Sequence, residues 1–161
     1  MPVVVMAARW EYAAYTSPSI NDISTDTENP PAFWEMPNPT AYPARNAEVQ
    51  RESYPSVAPL DLSLAPEQAF QLVTDIVHER GWKVLAEMPD EGSLEAEARS
   101  FLYGFADEVA IRVTGSGNGT RIDMRSRSRL GRIDRGVNAG RIELFLSDLK
   151  TRAQTRHGGT Q

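Results

Sequence analysis

Polar and apolar positions alternate most regularly between Thr120 and Arg129, where Ile122 and Met124 interleave with Arg121, Asp123, Arg125, Arg127 and Arg129. A period of two is a strand pattern. A turn at Leu130–Gly131–Arg132–Ile133 follows, and then Ile142, Phe145, Leu146 and Leu149 recur at helical spacing. Upstream, Leu60, Leu62 and Leu64 alternate with Asp61 and Ser63, which predicts a short half-buried strand. Pro66 stands where a first helical residue is welcome, and Glu67 sits beside the positive end of the helix dipole. Phe70, Val73, Ile76 and Val77 make that helix's inward stripe, and Gly81 supplies a left-handed cap. Trp82, Val84 and Ala86 predict a second strand, reversed by a turn at Met88–Pro89–Asp90–Glu91–Gly92. Leu94, Ala96 and Ala98 alternate with Glu95, Glu97 and Arg99; Val109, Ile111 and Val113 alternate with Ala110, Arg112 and Thr114. Phe101 to Asp107 joins these two strands as an aromatic hairpin tip. The glycines of Gly115–Ser116–Gly117–Asn118–Gly119 join antiparallel strands instead of opening a helix, so they make a hairpin and not a phosphate loop.

The order is strand, helix, four strands, helix. It predicts an α+β domain over residues 57–152, an antiparallel sheet with both helices on one face and the other face in water. The order looks like the helix-grip type, an analogy that carries no function. Phe70, Val73, Val77, Trp82, Val84, Ile111, Val113, Ile122, Met124, Phe145 and Leu149 are expected to share one core.

Residues 1–56 differ in kind. Nine of the eleven prolines lie in the first 59 residues, and no glycine precedes Gly81. Prolines at this density exclude a long helix or a central strand. Trp10, Tyr12, Tyr15, Phe33, Trp34, Tyr42 and Tyr54 favour an extended arm that lays aromatic rings on the domain, against the alternative of a loose linker. Residues 153–161 read as a polar tail.

Composition narrows the chemistry. With no cysteine, disulfides, thiolate metal sites and a cysteine nucleophile are excluded. No apolar run reaches the roughly 18 residues of a membrane span, and no signal peptide is visible. The net charge of −5 is uneven: −4 over residues 1–56, −7 over 57–120 and +6 over 121–161. Such asymmetry marks either a surface for an anionic partner or basic strands paired with acidic ones in the same fold.

Metal binding and cofactors are not expected. His78 lies on the solvent side of the first helix and His157 in the tail. Asp22, Ser24, Asp26 and Glu28 alternate as in a calcium loop, but Thr27 and Phe33 stand where its glycine and bidentate glutamate belong. Asp22 and Asp26 are read instead as turn, cap and arm-docking residues. Arg125-Ser-Arg-Ser-Arg129 raises nucleic-acid binding, but no aromatic residue interleaves and the pI is about 5.1. Cross-strand pairing with Asp123, Glu95 and Glu97 explains these arginines, and no nucleic-acid partner is expected.

The most informative anomaly lies on the core face, where Ser126 and Ser128 continue the alternation of Ile122 and Met124. Asn138 falls on the stripe of Ile142, Phe145 and Leu149, with Arg141 beside it, and Asp134 occupies an N-cap position. The cluster is either a polar network locking strand end, turn and helix start, or a pocket for a small anionic ligand or protein partner, with Arg129, Arg132 and Arg141 supplying charge. An enzyme using Asp134, Asn138 and Arg141 is the alternative reading of the same residues.

Four stretches occur in a recognisable order: Ser17-Pro-Ser-Ile-Asn-Asp-Ile-Ser-Thr-Asp-Thr-Glu-Asn-Pro-Pro-Ala-Phe33, Tyr54-Pro-Ser-Val-Ala-Pro-Leu60, Tyr103-Gly-Phe-Ala-Asp-Glu-Val109 and Arg125 to Ile142. Together they resemble the bacterial and plastid family called domain of unknown function 1499, over roughly residues 17–152. The resemblance implies a fold and no chemistry. Family members are commonly membrane-anchored, with hydrophobic helices before the Ile-x-Asp-Ile-Ser-Thr-Asp-Thr segment. It therefore implies a non-enzymatic binding or accessory module at a membrane or in the cell envelope, associated through an N-terminal anchor. The sequence given reads as soluble and places Met1 only about 16 residues before that segment.

Overall fold

The computed structural model describes residues 17–36, 41–99, 104–131 and 133–158. Its elements are β1 (Asp22–Ser24), α1 (Ala44–Ser53), β2 (Leu60–Leu62), α2 (Pro66–Glu79), β3 (Lys83–Met88), a 3₁₀ turn (Pro89–Glu91), β4 (Ser93–Arg99), β5 (Ala106–Ser116), β6 (Gly119–Ser128) and α3 (Val137–Gly158). The six strands form one sheet in the order β1-β6-β5-β4-β3, and β2 also pairs with β6. All pairings are antiparallel.

β5 and β6 pair from Asp107↔Ser128 to Ser116↔Gly119. The far edge of β6 is filled by two short strands placed end to end: β2 opposite Thr120–Ile122 and β1 opposite Arg125–Arg127. Gly119 permits the β2 approach, because a Cβ there would run into the Leu62 carbonyl oxygen.

Both main helices cover the face that carries Leu94, Ala96, Ala98, Val109, Ile111, Val113, Ile122 and Met124. In α2, Pro66 opens the first turn and the Gln68 side chain accepts the Ala65 N–H at 3.3 Å. Ala69, Phe70, Leu72, Val73, Ile76 and Val77 are buried. Gly81, at φ 66°, turns the chain out of the helix, and Trp82 N–H returns to the Val77 carbonyl at 3.2 Å. From α3, Ala139, Ile142, Phe145, Leu146, Leu149 and Ala153 complete the same core. The Trp82 ring stacks on Phe145 with centroids 5.5 Å apart. Every residue expected in the core is there, with Trp82 and Val84 partly buried at its rim.

The structure departs from the sequence reading in three places. The second sheet face is not wet where β4, β5 and β6 lie: Asp123, Arg125, Arg127, Glu95 and Glu108 are all buried. The arm covers them. Phe33 and Met36 pack on Ala110 and Leu85, and the Phe33 ring lies 4.7 Å from the Arg125 guanidinium and 4.3 Å from that of Arg127. Second, the arm is not extended throughout, since it contributes β1 to the sheet and forms α1. α1 docks through polar groups: the Gln50 amide accepts the Ser24 N–H at 3.0 Å and donates to the Ser24 carbonyl at 2.7 Å. Third, residues expected to begin a polar tail continue α3 to Gly158, and Ala153 is buried. Of the arm aromatics, Phe33 is buried, Tyr42 and Tyr54 are half-buried and Trp34 is 64% exposed; Trp10, Tyr12 and Tyr15 lie outside the described residues.

Phe145 has no exposed surface and joins α3 to Trp82 and the sheet. Phe145→Ala is expected to cost about 3–5 kcal/mol, read from urea unfolding midpoints. A loss below about 1 kcal/mol would contradict this packing.

Candidate functional site

The polar cluster of the last strand, turn and helix is assembled as its spacing implies. Ser126 and Asn138 are fully buried, facing each other from β6 and the first turn of α3. The Ser126 hydroxyl donates to Asn138 Oδ1 at 2.7 Å, and Asn138 Nδ2 donates to Ser128 Oγ at 2.9 Å and to the Asn21 carbonyl at 3.2 Å. Arg141 reaches back one turn: its Nη1 donates to Asn138 Oδ1 at 2.7 Å and Ser126 Oγ at 2.9 Å, and its Nη2 pairs with Asp107 Oδ2 at 2.5 Å.

Asp134 precedes the helix and acts on its open end. One oxygen accepts the Gly136 N–H at 3.0 Å and the other the Asn138 N–H at 2.7 Å, so it satisfies amides that the first turn leaves without partners. Burial pushes the Asp134 carboxyl above its usual range, and these N–H bonds pull against the shift. The turn itself needs Arg135 and Gly136 in the left-handed region, at φ 56° and 79°. Asn21 in the arm closes the network, since its side chain donates to the Gly131 carbonyl.

Of the residues proposed for this cluster, Arg129 does not join it. Arg129 has the parity of Arg125 and Arg127, so its side chain leaves by the other sheet face and pairs with Glu108 and Glu97, each at 3.1 Å. Arg132 lies outside the described residues.

A second polar layer fixes the arm to that other face. Arg125 binds Asp22 through Nε at 2.9 Å and Nη2 at 2.8 Å, a two-pronged pair in which both side chains are buried. Asp26 accepts the N–H groups of Glu28 and Asn29 and pairs with Arg112 at 3.0 Å and Arg121 at 3.5 Å. Thr25 donates its hydroxyl to Asp123 and accepts the Met124 N–H. Glu95 receives the N–H groups of Trp34 and Glu35, yet burial still holds its carboxyl above the usual range. Sequence reasoning missed the buried roles of Glu95, Glu108, Asp107 and Gln50; a signal was present for Glu108, whose parity sets it opposite Arg127, and for Asp107, whose parity sets it with Ser128 on the face that meets Arg141. Among the described residues, no group of three or more histidines and carboxylates is placed to hold a metal ion.

The Asn138 side chain makes four hydrogen bonds in its cluster, and its removal takes a partner from Arg141, Ser126 and Ser128. Asn138→Ala is expected to cost about 1–3 kcal/mol in chemical denaturation, with unchanged secondary structure by circular dichroism. For Asp123, burial raises the carboxyl, but bonds from Arg121, Thr25 and Arg112 outweigh it and hold the group below its usual value. A folded-state value below the unfolded one stabilises the protein above the ordinary carboxylate range, and that stability is lost as pH falls through the depressed value. Asp123→Asn should therefore lie below wild type at neutral pH yet lose stability less steeply on acidification below about pH 4. Parallel slopes in a pH series of urea midpoints would contradict this assignment.

No curated protein matches the chain. Among solved structures, the crystal structure of TTHA0849 from Thermus thermophilus is similar at 13% identity, covering 62% of this chain and 96% of that one, with a TM-score of 0.41. The family model described as "Protein of unknown function (DUF1499)" matches residues 22–149, so the chain belongs to that family.

Proposed function

We propose that this chain is a non-enzymatic binding or accessory module that acts at a membrane or in the cell envelope, and that it meets its partner with the exposed surface at one end of the sheet. The observation that carries this reading is the end of the sheet where β5 begins and β6 finishes. Phe105 is 53% exposed, Leu130 69% and Ile133 47%. The two loops that bear them lie side by side, since the Arg129 N–H donates to the Ala106 carbonyl. Large apolar side chains gathered at a loop tip fit entry into the interfacial layer of a bilayer. The polar cluster behind them supports the reading in another way. Its side chains are engaged with one another, which makes it a joint between the end of β6, Gly131 and the start of α3. Among the described residues no helix is long and apolar enough to cross a membrane, so contact through this tip would be peripheral.

Sedimentation with phospholipid vesicles tests the proposal. Wild type should co-sediment, and Leu130→Ser with Ile133→Ser should lower the partition about tenfold or more, because each buried aliphatic side chain is worth about 1.5–3 kcal/mol. The melting temperature should change little, since both side chains are largely exposed. Absence of wild-type binding to every vesicle composition would refute the reading.

A further inference from the structure

Charge is segregated along the strand axis. At one end, segments 60–69, 86–94 and 113–120 carry Asp61, Glu67, Glu87, Asp90 and Glu91 and no lysine or arginine. Four of these carboxylates share one cleft with Pro66, Phe70 and Pro89. The opposite end is where β3 begins, β4 finishes and the exposed apolar loops lie. There a recess of about 210 Å³ is lined by Arg80, Gly81, Trp82, Lys83, Glu97 and Arg99.

The acids of this second end are already committed. Glu97 pairs with Arg129 at 3.1 Å and Arg99 at 3.8 Å, Glu108 with Arg127 and Arg129, and Asp107 with Arg141. Lys83, in contrast, has no ion-pair partner among the described residues, and the Arg99 side chain is 75% exposed. Arg80 is held in place by the Leu144 carbonyl, Asp148 and the rings of Trp82 and Phe145. The recess therefore presents a fixed cation and two reaching ones over an aromatic wall. The helix end beside it contributes little repulsion, because the Ile76, Val77 and His78 carbonyls each accept a backbone N–H.

The geometry points to this recess as a subsite for the phosphoryl group of an anionic phospholipid, engaged when the Phe105–Leu130–Ile133 tip meets the bilayer. The inference rests on the membrane-surface reading above and adds the headgroup chemistry and the orientation. A negatively charged leaflet attracts the basic end and repels the acidic one, so both ends turn the same loops toward the lipid.

The experiment compares vesicles of phosphatidylcholine alone with vesicles containing phosphatidylglycerol. Wild type should bind the anionic vesicles more tightly, and added salt should erase the difference. Lys83→Gln with Arg99→Gln should lower anionic binding about thirtyfold, the worth of two basic side chains at ~1 kcal/mol each, and lower phosphatidylcholine binding far less, because there the choline cation already neutralises the phosphodiester. Arg45→Gln with Lys150→Gln makes the same charge change on other exposed surfaces and should have little effect. Thermal melts serve to check that both double variants fold. Equal wild-type binding to the two vesicle types would overturn the headgroup subsite and leave the membrane-surface reading standing. An equal loss in the control double variant would overturn the recess as its location. Stabilisation by glycerol phosphate without preference for anionic vesicles would overturn the bilayer as the source of the phosphoryl group. Failure to bind either vesicle is the failure of the underlying reading.

Discussion

A charge that leaves water needs an opposite charge or a set of hydrogen-bond donors within reach, and β6 makes that demand three times on one face. Asp123, Arg125 and Arg127 are all buried there. Replacing water around an unpaired guanidinium or carboxylate costs several kcal/mol, so the second face could not be covered by a purely apolar layer. The arm answers in kind. Asp22 meets Arg125, Thr25 meets Asp123, and Glu108 on β5 meets Arg127 beneath the Phe33 ring. The sheet thus has an apolar face that selects helices and an ionic face that selects one particular segment of its own chain. Apolar burial tolerates sliding, whereas two-pronged ion pairs tolerate little, so the ionic face also fixes the register of β1.

The cluster around Asn138 does similar work at the end of the sheet. Ser126 and Ser128 stop the apolar alternation before the strand ends, and the polar start of α3 meets them. The left-handed Arg135–Gly136 turn is held by Asp134, and Gly131 before it is held by Asn21 from the arm. This network positions the loop that bears Leu130 and Ile133 while leaving their side chains to solvent. A rigid support under exposed apolar groups is what a surface contact requires, because loop ordering then costs little at the moment of binding.

Much of this was legible in the residues. Period-two alternation marked β3 to β6, period 3.6 marked α2 and the central part of α3, and Pro66 and Gly81 bracketed α2 as their backbone preferences require. The breakdown of the apolar pattern at Ser126 and Asn138 located the polar joint. Two features were not legible, for different reasons. α1 carries its anchors, Asn46 and Gln50, as polar residues four apart, so hydrophobic periodicity is silent over Ala44–Ser53. Alternating charge on β6 reads as a solvated face because the pattern records polarity and not burial; only the carboxylates of the arm decide between the two. Arg129 is read as a charge for the polar cluster as well as a cross-strand partner, and its parity with Arg125 and Arg127 allows only the second.

The pairing of β1 with β6 has a temporal consequence. Asp22 and Arg125 are 103 positions apart, and the strand that receives the arm lies close to the end of the domain. During synthesis the N-terminal segment leaves the ribosome first, yet its docking face does not exist until β6 has formed against β5. The β1 segment is therefore made well before the strand that receives it, and such distant contacts are slow to close. Until then Ile23, Phe33 and the ionic face of β6 are exposed to whatever else is near. In the finished fold, the Gln50 amide occupies both backbone groups of Ser24, which closes that part of the outer side of β1 to a second strand.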